Sequence, residues 1–156
     1  GGMLFKNEAG RHGLDSQLDA RGVAVADFDN DGRLDMFVSN ANSEPLLVRN
    51  TQPTDANWIQ FRLEGTESNR EAIGTRLRIK MGDEERIGFV NGGNGFASQS
   101  TRRVHFGLAE AKIVDSLEVL WPSGSSQTFG PIESNGIYHI VEGRDDIAPM
   151  AAEASK

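Results

Sequence analysis

The 156-residue chain contains no cysteine. Disulfides, thiolate metal sites and cysteine nucleophiles are thereby excluded. Apolar residues are also scarce, at 37% hydrophobic and 7% aromatic. No apolar run approaches the roughly 18 residues needed to cross a bilayer, so membrane insertion is not expected. The sequence has no block of lysine or arginine that would track a phosphate backbone, and its net charge is −7. Nucleic acid and anionic membrane surfaces are therefore not expected as partners. The opening Gly1-Gly2-Met3-Leu4-Phe5-Lys6-Asn7 lacks the pattern of a signal peptide.

Glycine, by contrast, is abundant, at 18 residues. Many glycines between short apolar runs point to turns and short strands rather than long helices. The length suits one ordinary domain, or a small unit fused to a domain of about 100 residues.

The first third reads as a strand, an acidic loop and two more strands. Gly22 to Ala26 is a short apolar strand and Asp27 to Asp35 a polar loop. Met36-Phe37-Val38 and Leu46-Leu47-Val48-Arg49-Asn50 follow, separated by a turn-rich connection. Met3-Leu4-Phe5-Lys6-Asn7 repeats the pattern of Leu46 to Asn50: three apolar residues, one basic, then Asn. Such spacing is in the range of propeller blades, and a single blade cannot bury both faces alone. Thr51 to Asn57 reads as a linker.

Six further strands are expected over Trp58–Leu63, Arg76–Met81, Arg86–Val90, Arg103–Phe106, Ser116–Trp121 and Ile137–Val141. Of these Arg76–Met81 alternates cleanly, apolar in and basic out. Short strands separated by turns favour an antiparallel sandwich. Ala109 to Lys112 invites a helical turn. Asp145 to Lys156 is rich in alanine and acids and reads as a mobile tail. The expected organisation is all-β: a blade-like calcium hairpin unit over residues 1–52, an antiparallel β-sandwich over 53–143, and a tail over 144–156.

The acidic loop carries the chemistry. Asp27, Asp29, Asp31 and Asp35 stand at positions 1, 3, 5 and 9, with Gly32 at position 6. Ca²⁺ takes six to eight oxygens at about 2.3–2.6 Å. Alternating carboxylates on a curling backbone supply three of them. Gly32 permits the bend that returns the position-7 carbonyl, that of Arg33, toward the ion. Asp35 completes the set directly or through water. Four carboxylates in one loop repel unless a cation joins them. The loop is not an EF-hand, since Val38 stands where a bidentate Glu is required.

The stretch from Gly22 to Asp35 resembles the FG-GAP/VCBS-type repeat, whose DxDxDGxxD loop holds Ca²⁺ in propeller blades. The rest of the chain resembles the ASPIC/UnbV domain. The residues that carry this second likeness are Ser68 to Arg76, Gly92 to Ser100, His105-Phe106-Gly107-Leu108 and Trp121-Pro122-Ser123-Gly124. Together the two resemblances imply an extracellular adhesion or assembly role. Met3 to Asn7 and Leu46 to Asn50, read as blade strands without a complete propeller, have exposed edges that invite strand addition, so the expected partners are other protein chains, copies of itself included, joined into an oligomer or filament. The alternative is a calcium-dependent carbohydrate-binding or cell-adhesion module that uses Trp58 or Trp121 as a stacking platform.

No enzyme is expected, because no acid/base pair has a convincing context. His12, His105 and His139 lack metal spacing and read as packing or hydrogen-bonding residues. Ser98 and Ser100 have no nucleophile motif around them. Gly92-Gly93-Asn94-Gly95 reads as a turn rather than an anion cradle. In Ser68-Asn69-Arg70, the Ser and Asn are expected to satisfy backbone groups while Arg70 pairs with an acid.

Overall fold

The computed structural model describes residues 6–15, 17–93 and 95–150. The proposed repeat at Met3-Leu4-Phe5 therefore lies outside the described residues. A short 3-10 turn at Ala9–His12 precedes three antiparallel strands: β1 (Ala20–Ala26), β2 (Asp35–Asn40) and β3 (Leu46–Val48). Val23, Val25, Met36, Val38 and Val48 share one face of this sheet, while Phe37 and Leu47 stand opposite each other on the other. Phe37 is 39% and Leu47 60% exposed. Every buried apolar side chain among the described residues lies beyond this unit, from Ile59 onward.

A connection without regular structure over residues 51–56 leads to β4 (Asn57–Glu64). Then follow β5 (Arg76–Met81), β6 (Glu84–Phe89), β7 (Val104–Ala109), β8 (Ile113–Val114) and β9 (Ser116–Leu120). The chain continues through β10 (Ser126–Phe129), β11 (Ile132–Glu133), β12 (Gly136–Val141) and β13 (Ile147–Pro149). Two four-stranded sheets, β10-β9-β5-β6 and β13-β12-β4-β7, form the sandwich, and β8 pairs with β11 beside them. Alternation places Leu77, Ile79 and Met81 of β5 inward, against Ile59, Phe61, Leu117, Val119 and Ile140. The Phe61 and Phe106 rings meet edge to face at 6.1 Å.

Three expectations need correction. The sandwich is mixed rather than purely antiparallel: β12 runs parallel to β4, pairing Gly136 with Ile59 through to Val141 with Glu64. The tail is a strand over Ile147–Pro149, paired antiparallel with β12, and Met150 N donates to the Ile137 carbonyl at 2.8 Å. Pro149 is tolerated there because β13 is an edge strand. Ala109 to Lys112 is no helix. Strand β7 runs to Ala109, whose φ is +51°, and a tight turn follows with Ala111 N bonded to the Leu108 carbonyl.

The outward row of β4 decides how the two units meet. Ile59, Phe61 and Leu63 enter the core, so Trp58, Gln60 and Arg62 stand on the other face. His105 of β7 is Gln60's cross-strand partner. The acidic loop lies over this row.

Candidate metal centre

The loop between β1 and β2 curls because Asn30 and Gly32 both adopt left-handed φ, +58° and +88°. Backbone N–H groups then turn toward Asp27, whose Oδ1 accepts from Asp31 N at 3.0 Å and whose Oδ2 accepts from Gly32 N at 2.9 Å. Gln60 Nε2 adds a third hydrogen bond to Asp27 Oδ2 at 2.6 Å. Asp35 is fixed in the same way, by Phe28 N at 3.1 Å and Asn50 N at 2.7 Å. Asp27 and Asp35 are 6% and 3% exposed.

Three of the four loop carboxylates converge. Asp27, Asp29 and Asp35 each offer an oxygen within 4.8 Å of the others, a spread that one Ca²⁺ with bonds of about 2.4 Å bridges. Asp29 and Asp35 also line a cleft walled by Phe28 and Leu47, which gives these two carboxylates an approach from solvent. Asp31 is not in the group. Its Oδ1 accepts from Arg33 N at 2.8 Å, its Oδ2 pairs with the Arg33 guanidinium, and Arg49 stands 3.9 Å away. Two nearby guanidiniums account for its turning aside. Arg33 also donates through Nε to the Asn50 carbonyl at 2.8 Å. Asp29 is paired with Arg49. A cationic side chain thus already stands against the least shielded carboxylate of the three.

The sandwich grips the loop at three further points that the sequence alone does not flag. His105 Nε2 donates to the Gly32 carbonyl at 2.9 Å. The Trp58 indole lies so close to Gly32 that a Cβ there would overlap it. Arg103 donates to Asn30 Oδ1 at 2.5 Å. Gly32 therefore serves both the bend of the loop and its docking. Trp58 and His105 are parallel, with ring centroids 6.4 Å apart, at a cleft that includes Asn57, Asn135 and Asp55.

A second buried acid went unnoticed in the sequence. Glu142 is 4% exposed. Its Oε2 accepts from Thr66 N, Glu67 N and Ser68 N at 2.9, 3.0 and 2.7 Å. Its Oε1 accepts from the hydroxyls of Ser68 at 2.8 Å and Ser123 at 2.5 Å. Burial pushes the Glu142 carboxyl up, but the Ser123 hydroxyl and the Ser68 and Thr66 donors outweigh it and hold the group at about 2. Three successive backbone N–H groups form the nest that makes this possible.

The remaining sequence candidates fall into structural places. Asn69 exchanges two hydrogen bonds with the Ile73 backbone, and Arg70 lies 3.9 Å from Glu64, as expected for that segment. Ser100 Oγ accepts from Val25 N at 3.1 Å, tying the sandwich to β1. Trp121 is 2% exposed, which removes it as a stacking platform. Asn94 lies outside the described residues, and Gly95 makes an isolated bridge with Ser98.

The ASPIC and UnbV family description matches residues 65–147. Those residues run from the loop that cradles Glu142 to the edge strand β13. The chain is also similar to cartilage acidic protein 1 of Homo sapiens, 33% identical over 133 residues, covering 80% of this chain and 20% of that protein. The same protein of Xenopus tropicalis is 33% identical over 141 residues, covering 84% of this chain and 21% of the relative. The chain thus spans about a fifth of the length of these relatives. With more than half of its residues matched, it belongs to the ASPIC and UnbV family.

Proposed function

We propose that the chain is a non-enzymatic, extracellular interaction module whose first unit is ordered by Ca²⁺. The observation that carries this reading is the convergence of Asp27, Asp29 and Asp35 in a unit with no buried apolar side chain among its described residues. Asp27 and Asp35 are held in place before any ion arrives, Asp29 exchanges Arg49 for the metal, and the Arg33 carbonyl joins it, with Asp31 leaving its Arg33 pair to complete the shell. The chemistry is hard-oxygen ligation, which suits Ca²⁺ rather than a thiophilic metal. The loop spacing supports an FG-GAP/VCBS-type origin for this unit. The extracellular setting is supported by the relatives, whose name places them in cartilage.

The partner in this reading is another protein chain, a second copy included. The sheet order leaves β1 and β3 as edges. The 98–101 segment already occupies β1, with Thr101 N bonded to the Val25 carbonyl and Val25 N to Ser100 Oγ. Among the described residues no such segment covers edge β3, beside exposed Leu47, which leaves it open to strand addition into an oligomer or filament. A second reading, carbohydrate binding, is favoured by one observation: the parallel Trp58 and His105 rings at a cleft with amide side chains.

Thermal denaturation in calcium and in chelator tests the metal. A higher melting temperature in calcium, abolished by Asp35→Asn, is expected; identical curves in the two buffers would falsify the metal reading. Sedimentation at several concentrations tests assembly: mass rising with concentration, and reduced by Leu47→Glu, is expected, whereas a constant monomer excludes it.

A further inference from the structure

We propose that the seam between the two units carries a second binding site, for a carboxylate or sulfate oxyanion, centred on Arg62. The site is a cleft of about 480 Å³ that brings Ala26 at the end of β1 together with Arg62 of β4 and the segment before β7. Three guanidiniums, of Arg62, Arg102 and Arg103, face a single carboxylate there, that of Glu71. On a chain of net charge −7, this is a local inversion of sign. A surface that is acidic overall repels anions everywhere except where cations are gathered.

The hydrogen bonds show which donors are already committed. Arg102 is spent: it pairs with Glu71, and with the Gln99 amide turned oxygen-inward, Nε and Nη2 are taken at 2.9 and 3.2 Å. Arg103 commits Nη1 to Asn30 at 2.5 Å. Arg62 is exposed and has no hydrogen-bond or ion-pair partner among the described residues. The hydroxyls of Ser100 and Thr101, which also line the cleft, each accept from a backbone N–H, that of Val25 at 3.1 Å and of Arg103 at 3.2 Å. Each therefore keeps its own hydrogen to donate. One free guanidinium fork with two uncommitted hydroxyls matches the planar or tetrahedral oxygens of a carboxylate or sulfate. Metal binding at the acidic loop is not needed for this site.

The test is isothermal titration of the whole chain, in calcium-free buffer, with sodium sulfate and with sodium succinate. Sodium chloride at equal ionic strength is the control. A sulfated disaccharide and its unsulfated counterpart distinguish a polymer-borne group from the free ion. Saturable binding of either anion is expected, weakened at least tenfold by Arg62→Gln. Glu71→Gln, which releases Arg102, is expected to tighten it several-fold, an effect that no folding defect can mimic. Heats that sodium chloride reproduces, or binding that Arg62→Gln leaves unchanged, would overturn the proposal.

Discussion

The chain buries carboxylates in two places and satisfies them in opposite ways. In the sandwich, Glu142 is surrounded by protein donors, three backbone N–H groups and the serine hydroxyls, and needs nothing more. In the first unit, buried Asp27 and Asp35 take five N–H donors between them, and the exposed Asp29 that converges on them as a third negative charge has only one arginine. The same contrast runs through the packing. The sandwich has a continuous apolar core, whereas among the described residues of the first unit the buried ones are Gly22, Asp27, Gly32 and Asp35. A small unit whose described residues form no apolar core needs another source of order, and metal ligation is a common one. One acid has become part of the scaffold, while the other three remain available for an ion.

Four experiments break or sharpen this contrast. The largest effect is expected from the core: Phe61→Ala should cost about 3–5 kcal/mol in chemical denaturation, against less than about 1 kcal/mol for exposed Phe37→Ala. If Phe37→Ala proved equally costly, the first unit would possess a core of its own. Next is Glu142. Lowering its carboxyl from 4.5 to about 2 is worth about 3 kcal/mol. Because the folded value is the depressed one, this stability is present above pH 4.5 and is lost as pH falls toward 2. Glu142→Gln should remove about that much at pH 7 and flatten the wild-type decline between these limits, followed by urea midpoints across pH.

Calcium at a hundredfold excess over its Kd should add about 2.7 kcal/mol, and Asp27→Asn should abolish the increment while leaving the sandwich folded. The smallest effect is at the joint. His105→Ala deletes the hydrogen bond to the Gly32 carbonyl and should cost about 1 kcal/mol. Hydrogen exchange should locate the loosening at Phe28–Leu34 rather than in β7.

Legibility in the sequence followed the same division. Arg76–Met81 announced itself because one face is core and the other water, so the period of two is unbroken. Trp58–Leu63 alternates less clearly because its outer row is covered too: Gln60 is buried under the acidic loop. Strand direction leaves no trace in periodicity, which is why the parallel pairing of β4 with β12 was not foreseen. Strand β13 was hidden by its Ala and Pro, residues that an edge tolerates. In the loop, spacing identified the acids but not which would converge. The turning of Asp31 depends on Arg33 beside it and on Arg49 from beyond β3, a partner that only the fold brings near. Glu142 was invisible because its donors come from segments some 20 and 75 positions upstream.

Strand β4 carries core and joint on its two sides, so its reading frame is a single constraint on the whole molecule. Deleting one residue within it would rotate Ile59, Phe61 and Leu63 out toward the acidic loop and drive Trp58, Gln60 and Arg62 into the sandwich. Neither half tolerates a change of length within this strand that the other does not also feel.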